Sequence, residues 1–177
     1  MSSLLLVAYI PGVVNEDLYM KENMLDVLMY LFQNYMYDDT DIHPDRESMH
    51  EELLEAGFPS YEITQAFEWL DGLSAHQDRP LAAPNQDRSF RVYTKQELGK
   101  LDVECQGWLL FLEQSSILNT ETRELVIDRV MALETDEMDL DQLKWVILMV
   151  LFNQPGQEEA YAWMEDLLFE DVTGYLH

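Results

Sequence analysis

Bases are scarce in this sequence. Ten Lys and Arg stand against 35 Asp and Glu in 177 residues, a formal net charge of −25 at neutral pH. Such a field repels nucleic-acid phosphates and anionic membranes at long range, and favours solubility and cationic protein partners. Cysteine is nearly absent: Cys105 alone excludes an internal disulfide and suits a reducing compartment. Cys105, Trp108, Leu109 and Leu112 fall at i, i+3, i+4 and i+7, which places the thiol on an apolar helix face. It reads as a small buried hydrophobe rather than a nucleophile. The seven glycines form no phosphate-cradling loop. The four histidines, His43, His50, His76 and His177, sit in no zinc spacing and beside no Ser or Cys motif.

Long apolar runs are missing too. WVILMVLF at residues 145–152 would extend about 12 Å as a helix, against a hydrocarbon core of about 30 Å. Apolar on every side, it reads as a central helix buried all round. The run at residues 4–10 has no Lys or Arg ahead of it and no small-residue cleavage site, so it is no secretory signal. Asp39, Asp41, His43 and Asp45 alternate as hard-cation ligands could, but without the Gly and distant bidentate Glu of a calcium loop. Carboxylates are so plentiful that a pair of them points to no acid–base chemistry. No catalytic, cofactor-binding or metal residue is assigned, and no cofactor is expected.

Helical periodicity dominates what is present. From Met24, MLDVLMYLFQNYMYDD sets Met24, Val27, Leu28, Leu31 and Tyr35 on one face. Two short helices follow at residues 46–56 and 61–73, with Met49, Leu53 and Ala56, then Ile63, Ala66, Phe67 and Leu70, turned inward. Gly57 stands where a left-handed cap ends the first, and Ser60 can cap the second through its hydroxyl. The outline is that of a DNA-reading helix-turn-helix. Its second helix would turn Glu62, Glu68 and Asp71 outward, and residues 46–74 hold one base against seven acids. Phosphates would be repelled, so the pair reads as a structural or protein-binding hairpin.

Residues 74–89, with Pro80 and Pro84, form the best internal boundary. FRVY at residues 90–93 alternates and favours a short extended piece. Thr94 and Glu97 make a capping box that opens a new helix. Residues 101–118 carry WLLFL, with Gly107 placed to admit a close neighbour. Asn119 or Thr120 caps the next helix, which runs to Leu133. Asp139 with Gln142 opens the buried helix that ends at Asn153, before Pro155 and Gly156. Residues 158–169 are amphipathic, with Tyr161, Met164, Leu167 and Leu168 inward. The expected fold class is all-α or mainly so: a multi-helix bundle with a helix-turn-helix-like hairpin and room for one short β segment from Phe90 to Tyr93.

One stretch runs against the general charge. Arg79, Arg88, Arg91, Lys95 and Lys100, half of all the bases, fall within residues 79–100 beside only Asp87 and Glu97. With aromatic Phe90 and Tyr93 interleaved, Arg88, Arg91, Tyr93, Lys95 and Lys100 are the candidate contact for an anionic partner or nucleic acid. The competing and favoured reading is that these bases pair with the chain's own acids and tie the linker down.

Several blocks, in order, carry a resemblance: MLDVLMYLFQNYM, LLEAGF with AFEWL, RVYTKQE, GWLLFLEQSSILNTETRELVIDRVMAL and LDQLKWVILMVLFNQPGQEEAYAWMEDLLF. Together they closely resemble the bacterial Smg family, which is unrelated to the similarly named eukaryotic RNA-surveillance factors. The likeness runs from residue 24 to the end and leaves residues 1–19 as a loosely held extension, so translation is expected to begin at Met20 or Met24. The resemblance implies a cytoplasmic protein and brings no activity, cofactor or site residue with it. Genes of the family tend to lie near those for DNA processing and topoisomerase, which implies a nucleic-acid-related setting. The organisation expected is an N-terminal helical section at 20–74, a linker or ordered loop at 75–93 and a C-terminal helical section at 94–177, able to pack as one domain. The leading expectation is a non-enzymatic, acidic interaction or regulatory protein that binds a protein partner by helix faces. A nucleic-acid-linked regulator using the basic stretch comes second, and an enzyme of unrecognised type last.

Overall fold

Asn23 starts the first helix: its side chain accepts from the Asp26 amide while the Asp26 carboxylate accepts from the Asn23 amide, a reciprocal capping box. The computed structural model describes residues 23–36, 44–77 and 91–174. Within them α1 spans Met24–Leu31, α2 Arg46–Glu55, α3 Ser60–Ser74, α4 Lys95–Lys100, α5 Val103–Gln114, α6 Thr120–Met131, α7 Leu140–Asn153 and α8 Glu158–Gly174. The class is all-α, and no helix among the described residues is long and apolar enough to cross a membrane. The extension at 1–19, Met20, Asp39, Asp41, His43, the loop residues from 78 on with Arg79, Arg88 and Phe90, and His177 lie outside the described residues.

Local chemistry sets most boundaries. Gly57 adopts φ +99°, and the amides of Gly57 and Phe58 donate to the carbonyls of Leu54 and Leu53 at 3.1 Å each. This is the paired closure of a Schellman cap, which a residue with a Cβ would strain. Asp45, Asp102, Asn119 and Asp139 cap α2, α5, α6 and α7 with their side chains, and the boxes at Thr94–Glu97 and Asp139–Gln142 form reciprocally.

Several expectations need correction. Ser60 does not cap α3: Pro59 occupies the cap position without a side-chain bond, because its fixed φ already suits entry into a helix and leaves Ser60 in the first turn. Ala56 is exposed: the face that buries Leu53 is not continued past the last turn, because the cap at Gly57 turns the chain away. The helix expected from residue 101 begins only at Val103, since Leu101 is extended and Asp102 caps anew. Residues 91–94 form no strand. Arg91 is drawn to acids and Thr94 is committed to its box, so no ladder can grow. The β pairing lies elsewhere, as an isolated parallel bridge between Leu101 and Met138.

Buried apolar residues from both helical sections, Met24 through Leu168, form one cluster. At its centre is α7, whose residues 143–151 are all buried because α3, α5, α6 and α8 pack around it. Phe152, the last of the apolar run, emerges 44% exposed. After α1 the chain loosens into a π-helical turn, Phe32–Met36. Phe32 there meets Trp145 and Phe152 edge-on, with centroids 6.2 and 5.4 Å away, and the Tyr35 hydroxyl donates to Glu52 of α2. A clasp joins α3 to α6. The Trp69 indole N–H donates to the Arg129 carbonyl at 2.8 Å, and an Arg129 guanidinium N–H donates back to the Trp69 carbonyl at 3.2 Å. Gly72 makes room for that guanidinium: a Cβ there would lie 2.3 Å from Arg129 Nη1.

Candidate functional site

The basic stretch separates into residues with different surroundings. Arg91 donates to both oxygens of Glu97 and to both of Glu124, with shortest approaches of 2.7 Å to each, and its guanidinium lies 4.7 Å from the Tyr93 ring centre. Arg123 extends the network to Glu124 and Glu113. The bidentate bond from Arg91 holds Glu97 down to about 2, against burial and with help from the Thr94 amide. Burial raises Glu124, but the bonds from Arg91 and Arg123 outweigh it and leave its pKa lowered. Burial raises Tyr93. Lys100 turns inward and donates to the Leu133 carbonyl; burial lowers its pKa. Only Lys95 of the named contact residues is exposed, and Arg88 lies outside the described residues. Thus Arg91 and Tyr93 come together as an internal anchor linking the start of α4 to α6, and Lys100 supports the turn after α6.

A different surface has the character of a contact. On α5 the buried face is the expected one: Cys105, Leu109 and Leu112 are fully enclosed and Trp108 partly so. Burial pushes the Cys105 thiol up to about 12, and its S–H donates to the Met138 carbonyl at 3.4 Å, so it is no nucleophile at neutral pH. The outward face is unusual. Val103 is 85% exposed, Leu110 51% and Phe111 44%, and Gly107 and Gln114 complete the face without a charge. In a chain with 35 acids the outward face of a helix is ordinarily charged, as on α2, where Arg46, Glu47, Glu51 and Glu55 are exposed. The close neighbour expected at Gly107 is not found among the described residues: none of them lies within 4 Å of a Cβ built there. A glycine in a helix interior is disfavoured by about 1 kcal/mol relative to alanine, and no contact among the described residues offsets that. Phe111 continues the surface onto α8, its ring centre 6.1 Å from that of Trp163.

Between α2 and α3 a shallow groove of about 390 Å³ is lined by Arg46, Glu47, His50, Thr64 and Phe67. Arg46 closes one side over the Phe67 ring and pairs with Asp71 at 3.0 Å, so its guanidinium is already engaged outside the groove lining. Among the described residues no three His, Cys, Asp or Glu side chains gather as a metal site. The periodicity of α5 reveals its buried face; the exposed one is legible in the sequence only as the absence of charge at 103, 107, 110, 111 and 114.

Comparison with known proteins agrees with the blocks found along the chain. Residues 24–177 match the family model described as a protein of unknown function, DUF494. The chain is 54% identical over 158 residues to the Smg homolog of Thioalkalivibrio sulfidiphilus. It is 58% identical over 159 residues to that of Nitrosococcus oceani and 57% over 159 to that of Xanthomonas oryzae pv. oryzae. In each case 89% of this chain covers 100% of the relative. No solved structure matches. With a family model spanning every described helix and relatives covered end to end, the chain belongs to the Smg family of DUF494 proteins, whose function is unknown.

Proposed function

We propose that the protein is a non-enzymatic interaction protein that binds a protein partner through the outer face of α5. One observation carries this: Val103, Gly107, Leu110 and Phe111 present an uncharged apolar helix face to solvent in a chain of net charge −25. Contiguous exposed apolar surface of this kind marks protein contacts more often than solvation. A photo-crosslinking amino acid placed at Gln114 in cells tests it, with a second placed at exposed Glu51 on α2 as control. A discrete adduct should form from position 114, vanish with Leu110→Glu and be absent from position 51. No adduct, or one indifferent to Leu110→Glu, refutes the reading.

A second reading, contact with DNA or RNA through the basic stretch, draws on exposed Lys95 together with Arg79 and Arg88. A gel shift at low salt abolished by neutralising Arg88 and Lys95 would support it; no shift even at low salt removes it.

A further inference from the structure

We infer that the occupant of the α5 face is a cationic amphipathic helix of a protein partner, an inference that rests on α5 being the contact. The shape comes from Gly107. Val103 lies four residues before it, Leu110 three and Phe111 four after, so three exposed apolar side chains surround a point where no described residue stands within 4 Å of a Cβ position. A notch framed at i−4, i+3 and i+4 accepts a side-chain ridge of another helix, and from Val103 to Phe111 the frame extends about 12 Å, roughly two turns. An occupant anchored at i, i+3 or i+4 and i+7 matches that length.

Charge selects the partner. A second copy of this chain would bring another −25 to the contact, which opposes self-association. An anionic membrane or nucleic acid meets the same repulsion. The rim is acidic while the centre is neutral. Glu104 borders the face on α5; on α8 Glu159 and Asp166 flank Trp163 at i−4 and i+3, and all three acids are exposed. Trp163 is adjacent to Phe111, so these α8 acids stand along the edge of the apolar surface. An occupant with a Leu-like stripe bordered by Lys or Arg satisfies both zones.

The test uses the full chain and a fluorescein-labelled 18-residue synthetic peptide of Leu and Lys that forms an amphipathic helix. A peptide of the same composition, scrambled to destroy the amphipathic pattern, is the control, with anisotropy read at physiological salt. The amphipathic peptide should bind at least about tenfold more tightly than the scrambled one, a difference of about 1.4 kcal/mol. Val103→Glu with Leu110→Glu should weaken binding at least about tenfold although it makes the face more acidic. Leu54→Glu on α2, also at an exposed residue, should not weaken it. Gly107→Leu should fill the notch and weaken binding while the urea midpoint does not fall, which separates lost docking from lost fold. Equal binding of the two peptides, or binding unchanged or tightened by Val103→Glu with Leu110→Glu, overturns the inference as plain charge attraction. An adduct at position 114 whose crosslinked segment is acidic or non-helical would overturn it while leaving α5 as the contact; no adduct at all removes the contact itself.

Discussion

Gly72→Ala and Gly107→Ala are the same substitution in the same secondary structure, with opposite expected signs. In a helix interior Ala is favoured over Gly by about 1 kcal/mol. At position 107 none of the described residues lies within 4 Å of the added methyl, so a gain of about 0.5–1 kcal/mol should appear nearly whole. At position 72 the methyl would arrive 2.3 Å from Arg129 Nη1. The guanidinium must then withdraw, losing its bond to the Trp69 carbonyl and its position 5.8 Å from the indole ring centre. A charge-assisted hydrogen bond contributes about 1.5–3 kcal/mol and a cation–π contact about 0.5–2 kcal/mol. Less the helix gain, Gly72→Ala should destabilise by about 1–4 kcal/mol, with Tm falling about 2–4 °C for each kcal/mol. Urea unfolding followed by far-UV circular dichroism measures both variants, and repeating Gly72→Ala in an Arg129→Met background supplies the decisive comparison. Without the guanidinium the same alanine should stabilise. Should Gly72→Ala be as stable as Gly107→Ala, or the coupling to Arg129 fall below about 0.5 kcal/mol, the clasp between α3 and α6 has been misread.

The remaining expectations are more local. Glu97 titrates at about 2 in the folded chain rather than at an ordinary 4.5, so its contribution is complete above pH 4.5 and lost as pH falls toward 2. After solvent screening that contribution is about 1–2 kcal/mol. Urea midpoints for wild type and Glu97→Gln, measured from pH 6 down, should therefore converge in acid; parallel curves would show that the Arg91 pairing adds nothing. Cys105 should resist a thiol reagent at neutral pH and react at once in denaturant, since its sulfur is buried and its pKa is near 12; rapid native labelling would contradict its place in the core. Asp139→Ala removes the side-chain cap, which is its half of the box on α7, and should lower stability by about 1 kcal/mol in the same denaturation assay. An unchanged midpoint would mean that the burial of α7 holds its first turn without the cap.

Most features fixed within three or four residues are legible in the order of residues alone, the cap of α3 excepted. The boxes at Thr94 and Asp139, the cap at Asn119 and the left-handed Gly57 all form as their spacing indicates. The uninterrupted apolar run of α7 announces its burial, because a helix without a polar side needs neighbours on every side. Pairings across long stretches of chain are not legible in this way. Nothing near Gly72 in sequence shows that Arg129, 57 positions on, will fill its space, and nothing near Lys100 shows that the Leu133 carbonyl will draw it inward. The basic stretch illustrates the same limit. A count of charges offers Arg91 and Lys100 either as outward contacts or, the favoured reading, as partners for the chain's own acids. Only the fold shows which groups they meet: Glu97 and Glu124 for Arg91, and the Leu133 carbonyl for Lys100. On α5 the exposed face is visible only as a negative, five uncharged positions in an acidic chain, and a negative gains meaning only once the helix is known to turn that face outward.

The internal pairing of cations has an outcome for the solution around the protein. Arg46, Arg91, Arg123, Arg129 and Lys144 each lie within 4.0 Å of a carboxylate of the chain, so these positive charges are engaged locally and do little to offset the many acids left on the outside. Those acids gather mobile cations from solution, and the folded molecule carries a diffuse ionic cloud as an intrinsic part of its surface. A cationic partner arriving at the surface displaces that cloud, and the entropy of the freed ions becomes part of the driving force for association.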